Sequence, residues 1–131
     1  TVASFLPSRN QLPHDGNGVL WMTLSTHVLD AGRGHPAIGV PVRLRRRVGE
    51  KWELIGEGRT DADGRVAGLA PDGLAAGIHR LEFDTGAYFA SSGQTGFYPE
   101  VHVTFEIAEP HEHYHVPLLL SPFAFSTYRG S

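Results

Sequence analysis

The amino-acid sequence predicts an all-β fold, a two-sheet β-sandwich with one short helix, and three observations lead to this class. Apolar and polar residues alternate with period two in six or seven short segments, as in strands that bury one face. Turn signals separate these segments, and the 16 glycines and 9 prolines supply them. Only one segment favours a helix.

The predicted strands begin after residue 21 and continue to near the end of the chain. In chain order the segments are 22–28, 40–45, 52–55, 65–66, 78–84, 101–107 and 114–120. In the first of them Leu24 and Val28 fall on one face, whereas Ser25 and His27 fall on the other. Pro117 interrupts the last segment. Since proline lacks the N–H that a central strand uses, this strand is expected at a sheet edge or at a bulge.

The helix candidate covers residues 85–92, with Thr85 as the predicted N-cap and Gly93 as the predicted stop. Proline and glycine are frequent in residues 1–21, which are therefore predicted to be an N-terminal extension: a linker, a leader or a segment of artificial origin. Residues 22–131 are predicted to form one domain.

Composition excludes several classes of protein and of chemistry. The chain has no cysteine, so disulfides and thiol nucleophiles are excluded. Its 11 basic and 14 acidic residues give no electrostatic case for a nucleic-acid partner. No apolar run approaches the roughly 20 residues that span a bilayer, so no membrane partner is expected. The expected compartment is the cytoplasm, although the atypical N-terminus leaves the peroxisome and the periplasm open.

Eight histidines are many for this length, and their positions allow two interpretations. Taken alone, His27 on the polar face of a strand indicates an ordinary surface histidine. In an extended chain His111, His113 and His115 share one face, so two of them could bind zinc together with His27 or His102. The spacing, however, matches no standard zinc pattern, and no metal is predicted.

Two further segments could take part in chemistry. Residues 61–64 (DADG) predict a plain β-turn that presents Arg65 at a defined point, where a guanidinium suits a planar substrate bearing carbonyls. The last four residues, 128–131, follow an apolar segment that could anchor them. A docked tail would gather an arginine, a serine hydroxyl and the terminal carboxylate in one small volume.

Three stretches together resemble the 5-hydroxyisourate hydrolases, purine-catabolic relatives of the transthyretins. They are 24–30 (LSTHVLD) with 39–42 (GVPV), 60–65 (TDADGR), and 113–122 (HYHVPLLLSP) continuing to 126–131 (STYRGS). The terminal tetrapeptide is the most specific, because the transthyretins share the fold but lack that ending.

The resemblance implies a transthyretin-like sandwich that assembles as a homotetramer, a dimer of dimers, and acts on a small ureide without a cofactor. The implied reaction converts 5-hydroxyisourate to 2-oxo-4-hydroxy-4-carboxy-5-ureidoimidazoline in urate breakdown. The implied catalytic residues are His27, Arg65, His115 and Ser131, and the implied substrate-binding residues are Tyr128, Arg129 and Gly130. One of the two histidines would deprotonate water, and the resemblance does not decide which one.

Three alternatives remain at this point. A non-catalytic transthyretin-like carrier of an aromatic small molecule would bind its ligand without turnover. A zinc-dependent hydrolase would use His113, His115 and another histidine, and a structural adhesion domain would make the histidines incidental. The presence of two histidines, an arginine and a polar tail favours the hydrolase, because a carrier has no need of that set.

Overall fold

A computed structural model describes residues 23–109 and 112–130, so the predicted extension, residues 1–21, lies outside the described residues. The described strands are β1 (Thr23–Asp30), β2 (His35–Pro36), β3 (Pro41–Val48), β4 (Lys51–Arg59), β5 (Arg65–Val66), β6 (Gly77–Phe83), β7 (Val101–Ile107), β8 (His113–Ser121) and β9 (Ala124–Thr127), and the described helix is α1 (Thr85–Ser91). That helix falls far short of the length and apolarity needed to span a bilayer, and the described residues include no other candidate.

The strands form two sheets, which confirms the predicted sandwich with one short helix. The first sheet has the order β2-β1-β8-β9, and β5 also pairs with β1. The second has the order β4-β3-β6-β7. β1 and β8 run parallel along the whole of β1, whereas β2 and β5 pair antiparallel with β1. β1 therefore lies between β5 on one side and β8 on the other.

The hydrophobic core lies between the sheets and uses alternate residues of each strand. Val28 of β1, Leu118 of β8 and Leu81 of β6 are each 0% exposed. Burying a side chain of this size stabilises the fold by about 1.5–3 kcal/mol. Because the even-numbered residues of β1 and β8 face this core, the odd-numbered ones project from the opposite face of the first sheet.

The prediction that Pro117 marks an edge strand or a bulge is wrong, because β8 is a central strand between β1 and β9. The regular β8–β9 pairing ends where Leu118 opposes Thr127, and an isolated bridge joins His115 to Gly130. Pro117 lies between these two points, where β9 has ended and no ladder donor is needed. The Thr127 hydroxyl instead donates to the Pro117 carbonyl (2.6 Å).

Two local predictions differ in detail from the structure. The segments 40–45 and 52–55 cover only parts of a longer hairpin, β3 and β4, which has an irregularity at Leu44/Arg45. The helix N-cap is Asp84 and not Thr85, because the Asp84 carboxylate accepts a hydrogen bond from the Ala87 N–H (3.0 Å). Thr85 is buried, and its hydroxyl donates to the Tyr98 carbonyl.

Candidate active site

One face of the first sheet, on the side away from the core, brings together three of the predicted site residues: His27, Arg65 and His115. Arg65 of β5 opposes His27 in the antiparallel pairing, and His115 of β8 opposes Ser25 in the parallel pairing. Neighbouring strands lie about 4.8 Å apart, so three adjacent strands bring these groups within reach of one small molecule. We call Ser25, His27, Arg65, His113 and His115 the histidine face.

The turn before β5 fixes the position of Arg65. The Asp61 carboxylate accepts hydrogen bonds from the N–H groups of Asp63 (2.9 Å) and Arg65 (3.0 Å). Gly64 has φ +77°, and a Cβ at this residue would lie 2.4 Å from the Val28 carbonyl oxygen. Only glycine fits that conformation and that close approach. The predicted β-turn is therefore confirmed, and it packs directly on β1.

His27 is 2% exposed, so the interpretation of it as an ordinary surface histidine is wrong. Its Nε2 lies 2.7 Å from the Asp63 carbonyl oxygen. A carbonyl can only accept, so Nε2 carries a proton and Nδ1 holds the lone pair of the neutral ring. Burial lowers the pKa of His27 below its ordinary 6.5, and the nearby Arg65 guanidinium also lowers it, whereas the bond to Asp63 opposes the shift.

His115 is also almost completely buried, with 1% of its surface exposed. Burial lowers its pKa to about 4, and the charges of His113, His27 and Arg65 act in the same direction. Its Nδ1 lies 2.8 Å from the Ser25 hydroxyl oxygen. Its Nε2 is buried and has no hydrogen-bond partner among the described residues. His115 is therefore neutral at physiological pH, with one ring nitrogen left for a bound molecule.

The described histidines that were considered for zinc are not grouped as metal ligands. The Ser25 hydroxyl also contacts Nε2 of His113 (3.3 Å), and burial lowers the pKa of His113. His102 lies on β7 of the second sheet, where it contacts Glu100 (3.1 Å). His111 lies outside the described residues. Within 23–109 and 112–130, no group of three or more histidine, aspartate or glutamate side chains is arranged to hold a metal ion.

The C-terminal tail docks beside His115. The Gly130 N–H donates to the His115 carbonyl (2.7 Å), which brings the tail against β8. Arg129 donates to the Glu112 carboxylate (2.6 Å) and lies over the Tyr114 ring, 4.5 Å from its centre. Ser131 lies outside the described residues.

Tyr128 and Arg129 line a groove of about 220 Å³ between β7 and the β8–β9 pair. Tyr114 and Val116, which face the core side of β8, line the same groove. Arg129 therefore extends away from the histidine face and holds the tail in place. Contact of Tyr128, Arg129 and Gly130 with a substrate stays a prediction.

The profile of the HIUase/Transthyretin family matches residues 24–130. The chain belongs to this family. The 5-hydroxyisourate hydrolase of Salmonella dublin is 47% identical to it over 131 residues, which cover 99% of this chain and 93% of that protein. The 5-hydroxyisourate hydrolase of Mus musculus is 44% identical, over 82% of this chain and 94% of that protein.

Solved structures show that the fold is shared by enzymes and transthyretins. The 5-hydroxyisourate hydrolase of Klebsiella pneumoniae is similar with a TM-score of 0.76 and 41% identity, over 84% of this chain and 99% of that one. A transthyretin from Sparus aurata has the same TM-score of 0.76 with 38% identity, over 81% and 94%. Similarity of fold therefore does not distinguish a hydrolase from a transthyretin, and the side chains of the site must be compared instead.

Sequence reasoning did not select Ser25 as a functional residue. A signal was available, because Ser25 shares a strand face with His27. Its contact with His115 joins residues that are 90 positions apart, and it depends on the parallel register of β1 and β8. Alternation within one strand cannot give that register.

Proposed function

We propose that this protein hydrolyses 5-hydroxyisourate to 2-oxo-4-hydroxy-4-carboxy-5-ureidoimidazoline, a step of urate breakdown. The observation that carries the proposal is the histidine face, where His27, Arg65 and His115 share one side of three adjacent strands. The 47% identity to a protein named as that hydrolase supports it. A carrier would have no need of two buried neutral imidazoles beside a guanidinium.

The proposed reaction opens a ring by adding water to the carbonyl of a cyclic amide. The water oxygen bonds to the carbonyl carbon, the C–N bond breaks, and the departing nitrogen takes up the proton that the water lost. None of these steps requires a cofactor. A neutral imidazole can accept the water proton and return it to the nitrogen, which typically contributes about 10²–10⁴-fold. Because burial lowers the pKa of both His27 and His115, both are neutral at pH 7.

Arg65 is proposed to orient the substrate and to stabilise the oxyanion that forms when water adds. The turn at residues 61–64 fixes its backbone, and the pairing with His27 places the residue on the histidine face. Losing one such donor typically costs about 3–4 kcal/mol of transition-state stabilisation. Arginine suits this role better than lysine, because its planar group can donate two parallel hydrogen bonds.

The tail is proposed to complete the site. Gly130 is bonded to His115, and Ser131 follows it directly in the chain. We assign the Ser131 hydroxyl to a hydrogen bond with the substrate or the attacking water, and Tyr128 and Gly130 to substrate binding. Arg129 holds the tail through Glu112. Removing residues 128–131 should lower turnover by at least about 10²-fold while the core stays folded. An unfolded truncated protein would mean that the tail is structural.

Assembly into a dimer of dimers is proposed from the family and is supported by two features. β7 and β9 lie at the ends of their sheets, so each offers an unpaired edge to a second copy. Phe97 and Phe123 are 69% and 74% exposed and lie on neighbouring segments, because the Phe97 N–H donates to the Pro122 carbonyl (2.7 Å). Contiguous exposed apolar surface marks sites of association. Sedimentation equilibrium should give the mass of four chains, and a monomeric mass at assay concentration would contradict the assembly.

The decisive assay uses urate oxidase to generate fresh 5-hydroxyisourate and follows its ultraviolet absorbance with and without this protein. The compound decays spontaneously, so the expected result is acceleration above that background, unaffected by a chelator. The matched control is His115→Ala, which should lose the acceleration. Saturable binding without acceleration would indicate a carrier, and loss of activity with chelator would indicate a zinc enzyme.

A further inference from the structure

A single carboxylate, that of Asp61, organises the turn that contacts both His27 and Arg65. Its Oδ1 atom accepts hydrogen bonds from the N–H groups of Asp63 (2.9 Å) and Arg65 (3.0 Å). Asp61 is exposed and is not among the site residues assigned above. Its effect on catalysis must therefore pass through the residues that it holds, and this effect rests on the proposed function.

The turn holds His27 through the peptide group that joins Asp63 to Gly64. The Gly64 N–H donates to the Asp61 carbonyl (2.9 Å). Because a trans peptide group is planar, its N–H and C=O point in opposite directions, so this bond also orients the Asp63 carbonyl. That carbonyl oxygen lies 2.7 Å from Nε2 of His27. Asp61 therefore contacts, through its main chain and its side chain, the residue whose carbonyl binds the His27 imidazole.

The same turn fixes the main chain of Arg65 at both of its polar groups. The Arg65 N–H donates to the Asp61 carboxylate, and the Arg65 carbonyl accepts from the Asp61 N–H (2.9 Å). Arg65 lies opposite His27 in the antiparallel pairing. The Val28 N–H donates to the Gly64 carbonyl (2.7 Å), which packs the turn on β1. A shift of the turn would therefore move the backbone of Arg65 relative to His27.

The two hydrogen bonds to Oδ1 require an acceptor on the side chain and do not require its charge. Aspartate and asparagine both close turns of this kind by accepting from a main-chain N–H two residues further on, whereas alanine cannot. The charge acts separately: burial lowers the pKa of His27, and the Asp61 carboxylate opposes that shift. Asp61→Asn therefore removes the charge and keeps the acceptor, whereas Asp61→Ala removes both.

We propose that Asp61 is a positioning residue that holds the His27 imidazole and the backbone of Arg65 in one arrangement for the reaction. It acts from the solvent side of the turn and does not touch the substrate. Loss of its acceptor leaves two main-chain N–H groups to water, so the Asp63 carbonyl and Arg65 shift together. Misplacement by about 1 Å can cost about 10²-fold in rate where reacting groups must be aligned.

The first test follows the Nε2 proton of His27 and needs no substrate. The intact protein is labelled with ¹⁵N-histidine, and exchange of the ring proton with water is measured by ¹H–¹⁵N correlation at neutral pH. The proton should be protected in the wild type and in Asp61→Asn, and it should exchange about 5- to 10-fold faster in Asp61→Ala. Unchanged exchange in a folded Asp61→Ala, or free exchange in the wild type, would overturn the proposal, whether or not the protein hydrolyses 5-hydroxyisourate.

The second test separates positioning from a structural role by kinetics. Asp61→Ala should lower kcat by roughly 10- to 100-fold with little change in KM, whereas Asp61→Asn should retain most of kcat. In an Arg65→Gln background Asp61→Ala should have a smaller effect, because part of what it positions is already missing. The matched control is Asp72→Ala, which removes an exposed carboxylate from the turn at residues 70–73 and should leave kcat unchanged. Equal loss in Asp61→Asn and a folded Asp61→Ala, or full additivity with Arg65→Gln, would contradict the assignment.

Discussion

The two sheets present outward faces that treat their charged and titratable side chains differently. On the second sheet, Glu82 accepts from Arg45 (2.8 Å) and Arg80 (2.7 Å), and every one of these groups keeps some solvent contact. On the first sheet, the neutral imidazoles of His27 and His115 are almost completely buried near the Arg65 guanidinium. The second sheet pairs opposite charges, whereas the first sheet buries titratable groups beside a cation.

This difference indicates that the two outward faces have different roles: one maintains the fold and the other can take part in chemistry. An exposed ion pair of the second sheet, such as Arg43–Glu57, contributes little to stability, about 0–1 kcal/mol, and gives a bound molecule no unusual reactivity. Burial beside cations keeps imidazoles neutral and therefore able to exchange protons or donate to a carbonyl at pH 7. The first sheet loses stability at the place where it gains this reactivity, which is the pattern expected of an active site.

The largest effect should come from removing an imidazole of the histidine face. His27→Gln retains the polarity and approximate size of the side chain but cannot accept the water proton. We expect kcat for 5-hydroxyisourate to fall by about 10²–10⁴-fold, with a melting temperature equal to or above that of the wild type. Stopped-flow ultraviolet absorbance measures the rate, and a His27→Gln enzyme within a few-fold of the wild type would remove His27 from the mechanism.

Arg65 should give the next effect. Arg65→Gln removes the cation proposed to stabilise the oxyanion and should lower kcat by about 10²–10³-fold. Arg65→Lys restores the charge but not the planar pair of donors, so it should recover only part of the loss. Steady-state kinetics of both variants test this point. Full recovery with lysine would indicate that only charge matters. An increase in KM with unchanged kcat would mean that Arg65 binds the substrate and the transition state equally.

The pH dependence of stability should also differ between the two faces. The folded-state pKa of His115 is lowered from 6.5 to about 4, so below pH 6.5 the unfolded chain binds a proton that the folded protein excludes. The stability contribution of this neutral histidine is therefore complete above pH 6.5 and is lost as pH falls from 6.5 to about 4, by on the order of 3 kcal/mol.

Urea unfolding of the wild type and of His115→Gln, measured at pH 7.5 and at pH 5, checks this prediction. The variant has no titrating group at residue 115, so its free energy of unfolding should fall less between the two pH values. Comparison within each protein cancels any packing change that the substitution causes at both pH values. Parallel pH profiles for the two proteins would show that His115 does not titrate as its burial implies.

Sequence patterns predicted the sandwich because alternation and turn signals are local properties. They also assigned His27 to the polar face of its strand, but they could not show that this face is buried, since alternation identifies two faces and not what covers them. The turn and the strand spacing singled out Arg65 and His115, and the resemblance to a family supplied their catalytic roles. The Ser25 contact and the central position of β8 around Pro117 depend on pairing between distant segments, which no single strand encodes.

The smallest effect should come from an ion pair on the second sheet. Nε of Arg43 lies 3.5 Å from Oε2 of Glu57. Because the two side chains are 50% and 63% exposed, water screens their attraction. Glu57→Gln should change the free energy of unfolding by less than about 1 kcal/mol and should leave kcat unchanged. Chemical denaturation and the ultraviolet assay on the same preparation measure both quantities. A large kinetic effect of this substitution would mean that the second face also takes part in catalysis, and the contrast between the two sheets would then fail.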